Sequence, residues 1–186
     1  MKRVTLVISL CLFAIMGWAQ KSAPDMADIF NGKYAYERIS GVNPLNDGES
    51  YSQISTDGKR IIRKSFKTGE ETGVLFDAAT ARNKKIERVE GYIMSPDESR
   101  ILIQTETKPI YRRSFTAQYY IYTVKNNTLE SLSDNGAQQV PKFSPDGNCI
   151  AFVRDNNIFL VKLLFNNSES QVTTDGKKNA ILNGIP

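Results

Sequence analysis

The 186-residue chain contains no histidine. That absence excludes, within these residues, the serine and cysteine hydrolase arrangements in which an imidazole takes the nucleophile's proton. Ser–Lys and paired-carboxylate chemistries survive the argument, but no spacing in the chain points to either. Cysteine is nearly as scarce, with Cys11 and Cys149 alone. Clusters of Cys and His are missing, so no zinc site is expected and no metal or cofactor is implied. No apolar run reaches the ~20 residues that a membrane-spanning helix needs. The longest, Val4 to Gly17, is broken by Thr5 and Ser9.

That run explains itself by its flanks. Lys2 and Arg3 precede it, and Gly17-Trp18-Ala19 follows with small residues at the two positions a signal peptidase reads. The layout is that of a secretory signal, with cleavage expected after Ala19 and an exported mature chain of residues 20–186. A lipoprotein reading of Cys11 is disfavoured by Leu10 before it and by the apolar residues after it. Losing the signal lowers 24 basic residues to 22 against 20 acidic ones, a balance of +2. No basic stripe remains to suggest nucleic acid, and Lys84-Lys85 and Lys177-Lys178 read as solvated surface. The mature chain keeps only Cys149, which cannot form an internal disulfide and is expected to be a buried structural thiol in a strand.

What is present is β-patterned. Apolar, β-branched and aromatic residues bunch between turn residues at 51–54, 60–66, 73–76, 100–104, 119–124, 149–153 and 158–163. The stretch from Asp77 to Val89 breaks the pattern. Its alanines at 78, 79 and 81, with Asp77 placed as a cap, predict a short helix.

The chain also repeats. Asn46-Asp47-Gly48, Ser95-Pro96-Asp97-Glu98 and Ser144-Pro145-Asp146-Gly147 place aspartates 50 and 49 residues apart. Four residues after each comes Tyr51, Ile101 or Ile150, opening a strand. Proline presets such a turn, Asp bonds its own backbone and Gly accepts a positive φ. A period of roughly 40–50 residues built of short strands marks propeller blades. The expected fold is therefore all-β: an incomplete β-propeller of about three blades plus the start of a fourth at Thr173-Thr174-Asp175-Gly176, after the signal peptide. A closed propeller takes ~4–8 blades, so the chain is expected to be the N-terminal part of a longer protein. Asn126-Asn127-Thr128 and Asn166-Asn167-Ser168 are read as turns rather than glycosylation sites.

Insertions between propeller strands tend to mark a binding face. The third repeat has a short gap at Arg154-Asp155-Asn156-Asn157, whereas the second has a long one from about Thr105 to Gln118. That insertion carries Lys108, Tyr111, Arg112, Arg113, Ser114 and Phe115. Guanidinium groups offer planar forks of donors suited to carbonyl or carboxylate oxygens.

Two segments carry a resemblance. Tyr111 to Ala117, with Tyr119-Tyr120-Ile121-Tyr122, is similar to the second blade of the dipeptidyl peptidase IV family. Phe143-Ser144-Pro145-Asp146-Gly147, Ile150 to Val153, Asp155 to Phe159, Gln171 to Gly176 and Ile181-Leu182-Asn183-Gly184 resemble the stretch that follows. The likeness extends over the mature chain, including Tyr34 to Tyr51, and is greatest to Bacteroidetes-type members.

The resemblance implies an exported or surface serine peptidase that releases Xaa-Pro dipeptides from peptide N-termini. Its propeller would gate access to an α/β-hydrolase domain. It implies that Arg112 binds a substrate carbonyl near the scissile bond, through the aromatic-Arg-x-Ser-aromatic pattern that Tyr111 to Phe115 matches, with Arg113 at the variable position. The family's paired glutamates and its Gly-x-Ser-x-Gly elbow would lie beyond Pro186, so no catalytic residue is assigned here and this part alone is expected to be inactive. The expected partner is a peptide substrate of the full-length protein. No nucleic acid and no membrane span after signal cleavage are expected, and homodimer formation and the choice of periplasm or cell surface are left open. The alternative is a non-enzymatic periplasmic propeller of TolB type that binds a protein partner.

Overall fold

The computed structural model describes residues 24–35 and 41–185. The expected signal peptide and its cleavage point at Ala19 lie outside these residues. The chain divides into two compact units, Met1–Ile39 and Ser40–Pro186. In the first, α1 (Met26–Phe30) is a single exposed turn after Asp25. Its Asp28 carboxylate pairs with Lys33 at 2.5 Å. No described helix is long and apolar enough to cross a membrane.

The second unit is three sheets, antiparallel throughout except for one short parallel edge pair. The first runs β1 (Asn43–Pro44), β2 (Ser50–Ile54), β3 (Arg60–Ser65) and β4 (Glu71–Asp77) in spatial order. The second contains β5 (Arg82–Asn83), β6 (Gly91–Met94), β7 (Arg100–Pro109), β8 (Phe115–Thr123) and β9 (Thr128–Ser131), in the order β5-β9-β8-β7-β6. The third runs β10 (Gln139–Phe143), β11 (Cys149–Arg154), β12 (Asn157–Lys162) and β13 (Ser168–Gln171). Each sheet contains a four-stranded antiparallel meander, as a propeller blade does, and in the second sheet β5 adds a fifth strand beside β9. Every strand expected from the sequence is present. The six others, β1, β5, β6, β9, β10 and β13, are short strands of two to five residues.

The repeated aspartates occupy one structural position, the turn from a blade's first strand to its second. In the second blade the Ser95 hydroxyl donates to Asp97 Oδ1 at 2.7 Å, and the Arg100 amide donates back to Ser95 Oγ at 2.9 Å. The third blade repeats the pattern, with Ser144 Oγ to Asp146 at 2.5 Å and Cys149 N to Ser144 Oγ at 2.9 Å. The turns also meet across blades: Asn46 Nδ2 donates to Pro96 O at 2.8 Å, and Gly147 sits beside Pro96 and Asp97. The turn's last residue needs a positive φ, 70° at Gly48 and 69° at Gly147. Glu98 adopts 57° there without glycine's freedom.

The core lies between blades. Ile61 and Phe76 of the first blade pack with Ile101, Ile103, Tyr122 and Leu129 of the second. Leu102, Tyr119 and Ile121 of the second pack with Ile150, Phe152, Phe159 and Val161 of the third. Successive β residues point to opposite faces, so a middle blade is apolar on both. That is why Ile101-Leu102-Ile103 is a continuous buried run instead of an alternating one. Complete burial of each such side chain is worth about 1.5–3 kcal/mol.

The helix expected over Asp77 to Val89 does not form. Asp77 makes one turn only: its Oδ1 accepts the Ala79 amide at 2.8 Å and its carbonyl accepts the Ala81 amide at 3.0 Å. The chain then peels away into β5, which pairs in parallel with β9. Lys85 Nζ takes the carbonyls of Ala79 (3.1 Å) and Ala81 (2.6 Å), so Lys85 is a structural capping group as well as a surface residue. Ala78 and Ala81 are small because they are buried against the blade core, not because they favour helix. Cys149 lies in a strand as expected, but half-buried, because Ile150 and Phe152 are the core-facing residues of β11.

The segment read as the start of a fourth unit folds back on the third blade. The Asn157 side-chain oxygen accepts from Gly176 N at 2.9 Å and from Thr173 Oγ1 at 3.1 Å, and Asn183 N donates to Asn156 O at 3.0 Å. Its own closure is the Lys177–Ile181 bridge.

Candidate functional site

The insertion expected as a long loop between Thr105 and Gln118 is mostly ladder. β7 and β8 stay paired out to Pro109 and Phe115, past an irregularity between Thr105 and Lys108. Glu106, at φ 52°, is the bulge residue. Its neighbour Thr107 is held by the Glu90 carboxylate on its amide (2.8 Å) and by Gln104 Nε2 on its hydroxyl (2.7 Å). The hairpin therefore projects as a stiff finger, and only residues 110–114 form its tip. There Ser114 O accepts the amides of Ile110 (2.8 Å) and Tyr111 (3.1 Å). Arg112 and Arg113 are exposed at the summit.

A clamp from the third blade holds the finger at its root. Ala117 and Gln138 exchange backbone hydrogen bonds of 3.0 and 2.8 Å. The fully buried Gln138 side chain accepts the Tyr119 amide at 3.0 Å through Oε1 and donates to Gly136 O through Nε2. Such a side chain has no slack, because each of its polar atoms would be left unpaired by a shift.

Beside the finger lies a cleft of about 570 Å³. Ile93, Phe115, Tyr119, Val140 and Pro141 supply its apolar wall. Arg112, Arg113 and Lys142 supply its charge, and among the described residues no carboxylate lines it. Among the described residues neither arginine of the tip has an ion-pair partner. Tyr119, whose hydroxyl is pushed up to about 12 by burial, stays a neutral donor and reaches Gln104 Oε1 at 3.3 Å. A second cleft of about 470 Å³ lies against Tyr111, Ser114 and Gln139, but Asp155 sits there with Arg154 and Lys178, so its charge is mixed.

Of the residues singled out in the insertion, Tyr111, Arg112, Arg113, Ser114 and Phe115 line the first cleft; Lys108 does not. Lys142 was not anticipated. Its signal was available, since Lys142 stands two residues before Ser144 as Ile93 stands two before Ser95, and both line the cleft. Gln138 gave no sequence signal, because a glutamine in a polar run looks exposed.

The arrangement is suited to binding. The Ser–Asp pairs of the blade turns are turn locks: the Ser95 hydroxyl, together with the Ser99 hydroxyl and amide, brings Asp97 down to about 2, too weak a base to activate a hydroxyl at neutral pH. No group of three or more described Asp, Glu or Cys residues could hold a metal ion. An apolar, cation-rimmed cleft instead favours peptide-like ligands that bring carbonyl or carboxylate oxygens.

Fold and cleft together define the class: this is blade structure from a β-propeller with a projecting hairpin in its second blade. Residues 95–186 match the family described as "Dipeptidyl peptidase IV (DPP IV) N-terminal region", and the chain belongs to that family. The crystal structure of Porphyromonas gingivalis dipeptidyl peptidase 4 superposes with a TM-score of 0.75 at 35% identity, over 86% of this chain and 23% of that one. Human prolyl endopeptidase FAP is 30% identical over 164 residues, 87% of this chain and 20% of its own length. A probable dipeptidyl peptidase 4 of Aspergillus fumigatus is 38% identical over 150 residues, 80% of this chain and 18% of its own. The chain thus spans about a fifth of the length of these relatives. The TolB-type alternative is not favoured by any of these similarities.

Proposed function

We propose that this chain is the N-terminal propeller part of an exported serine exopeptidase that removes Xaa-Pro dipeptides from peptide N-termini. In that role it gates and recognises substrate, and the hydrolytic groups belong to the remainder of the complete gene product. Export rests on the residues up to Ala19. Periplasmic residence or surface display are both compatible with it, as is a homodimer of the complete product.

The observation that carries the reading is the position of Arg112. It stands on a braced hairpin tip, over a cleft that no described carboxylate lines, with its guanidinium unpaired among the described residues. A planar fork of donors held that way suits a substrate backbone carbonyl, and the bracing prepays its orientation. The test is Arg112→Ala in the complete gene product, assayed on an Xaa-Pro chromogenic substrate. One lost charge-assisted hydrogen bond of about 1.5–3 kcal/mol predicts a kcat/KM lower by about 10- to 150-fold. Unchanged kcat/KM would remove Arg112 from the site, and absence of Xaa-Pro release by the parent protein would remove the reading itself.

A further inference from the structure

The charge of the first cleft exceeds what one carbonyl contact needs. Arg113 stands next to Arg112 on the same tip, and Lys142 comes from β10 of the next blade. Lys142 is placed there by an irregularity. Between Gln139 and Lys142 the β10–β11 register slips, so that Gln139 faces Val153 but Lys142 faces Ala151. Val140 lies within the slip at φ 46°, a conformation that a β-branched residue adopts only under strain. A bulge of this kind re-aims the side chains that follow it. The result is a third cation, on a different blade, lining the same cleft as the arginine pair.

Among the described residues no acidic side chain lines this cleft to neutralise the three charges. By contrast, Arg63 is paired with Asp47, and Arg154 is paired with Glu169 at 2.6 Å. An unneutralised set of cations beside Ile93, Phe115 and Val140 repels a free amine and complements a carboxylate.

We propose that Arg113 and Lys142 are specificity-determining residues that select peptides with an acidic side chain among their first four residues, while Arg112 holds the backbone. The inference deepens the proposed peptidase reading and rests on it for the identity of the ligand as a peptide. Each partly exposed pair contributes the modest attraction of a surface ion pair, so the preference per pair is up to about fivefold.

The experiment uses the complete gene product and Ala-Pro-Ala-Ala peptides in which position 1, 3 or 4 is replaced by Glu or by Lys. Both kcat/KM and equilibrium binding by fluorescence titration are read. The expected result is a Glu-over-Lys preference of about three- to fivefold or more at one or more positions, fading as salt rises through the Debye range. In the Arg113→Ala/Lys142→Ala double variant the Glu/Lys ratio falls to near one at every position. In a control variant, Lys67→Ala, which lies outside the cleft, the preference persists. A Glu/Lys ratio near one at all positions, or a ratio unmoved by the double variant, overturns the inference while leaving the peptidase reading standing. Acid-selective binding lost in the double variant, without any dipeptide release, keeps the inference and overturns that reading.

Discussion

The side-chain carbonyl of Gln138, in the third blade, accepts the backbone amide of Tyr119, in the second, at 3.0 Å. Both residues are buried, and the same glutamine bonds Ala117 through its backbone. Removing the side chain leaves the Tyr119 amide without a partner. Gln138→Leu is therefore expected to destabilise the propeller by about 1–3 kcal/mol, measured by urea unfolding of the complete gene product. It should also loosen the finger that carries Arg112, so KM for peptide rises more than kcat falls. Unaltered stability would mean that water replaces the glutamine.

Why was the clamp invisible in the sequence when the blades were legible? The blade repeat is a local code. Ser95-Pro96-Asp97 and Ser144-Pro145-Asp146 specify a turn from within a few residues, and the buried runs at Ile101 and Ile150 follow at a fixed distance. The clamp joins residues 19 apart through a single side chain, and nothing local marks Gln138 as buried. The Asp77 to Val89 segment failed for the same reason. Alanine's helix preference is a weak term, and here it was overridden by the need for small residues at 78 and 81 against Phe76 and Tyr122. The tip arginines were readable because exposed charge clustered beside aromatics needs no knowledge of the partner strand. Lys142 was not, because its placement depends on the slip in β10.

Glu98 sets backbone strain against a hydrogen bond. Its φ of 57° disfavours any residue but glycine, yet its carboxylate accepts the Asn46 amide at 2.5 Å. Glu98→Gly relieves the strain and loses the bond, so the two changes of roughly 1 kcal/mol offset and stability moves little. Glu98→Ala keeps the strain and loses the bond, and is expected to be less stable than Glu98→Gly by about 1 kcal/mol. Thermal unfolding of the two variants side by side checks the difference. Equal stabilities would show that the positive φ costs nothing.

Acid sensitivity should divide between two kinds of carboxylate. Burial acts to raise Glu169, but hydrogen bonds from Arg154 and Ser133 outweigh it and hold the group below the ordinary glutamate range. Asp97, bonded to the Ser95 hydroxyl, is brought down to about 2. A depressed folded pKa means stability that is fully present above the unfolded value and lost as pH falls through the folded one. For Asp97 the loss is spread from about pH 4 down to about 2. Asp97→Asn and Glu169→Gln should each cost stability at pH 7 and cost progressively less as the pH approaches 2. Urea midpoints taken at pH 7, 4 and 2.5 test this, and a cost that stays constant with pH contradicts it.

Gly176 is the point at which the segment after β13 meets the hairpin of the third blade. A Cβ there would collide with the carbonyl oxygen of Asn156 and lie 2.6 Å from Asn157 Nδ2. The first of these is backbone and cannot swing aside. The same contact orients the Gly176 amide onto Asn157 Oδ1 at 2.9 Å, and Thr173 shares that acceptor at 3.1 Å. Gly176→Ala must therefore separate the strap from the hairpin, breaking both bonds together with that of Asn183 to Asn156. The overpacking cost is about 1–3 kcal/mol, and it falls locally because the blade cores lie elsewhere. Limited proteolysis should show faster cleavage within residues 173–183 of the variant, with the strands of the third blade still protected. Cleavage at the parent's rate would mean that the strap relaxes around the methyl group, and that its docking does not depend on the close approach at Asn156.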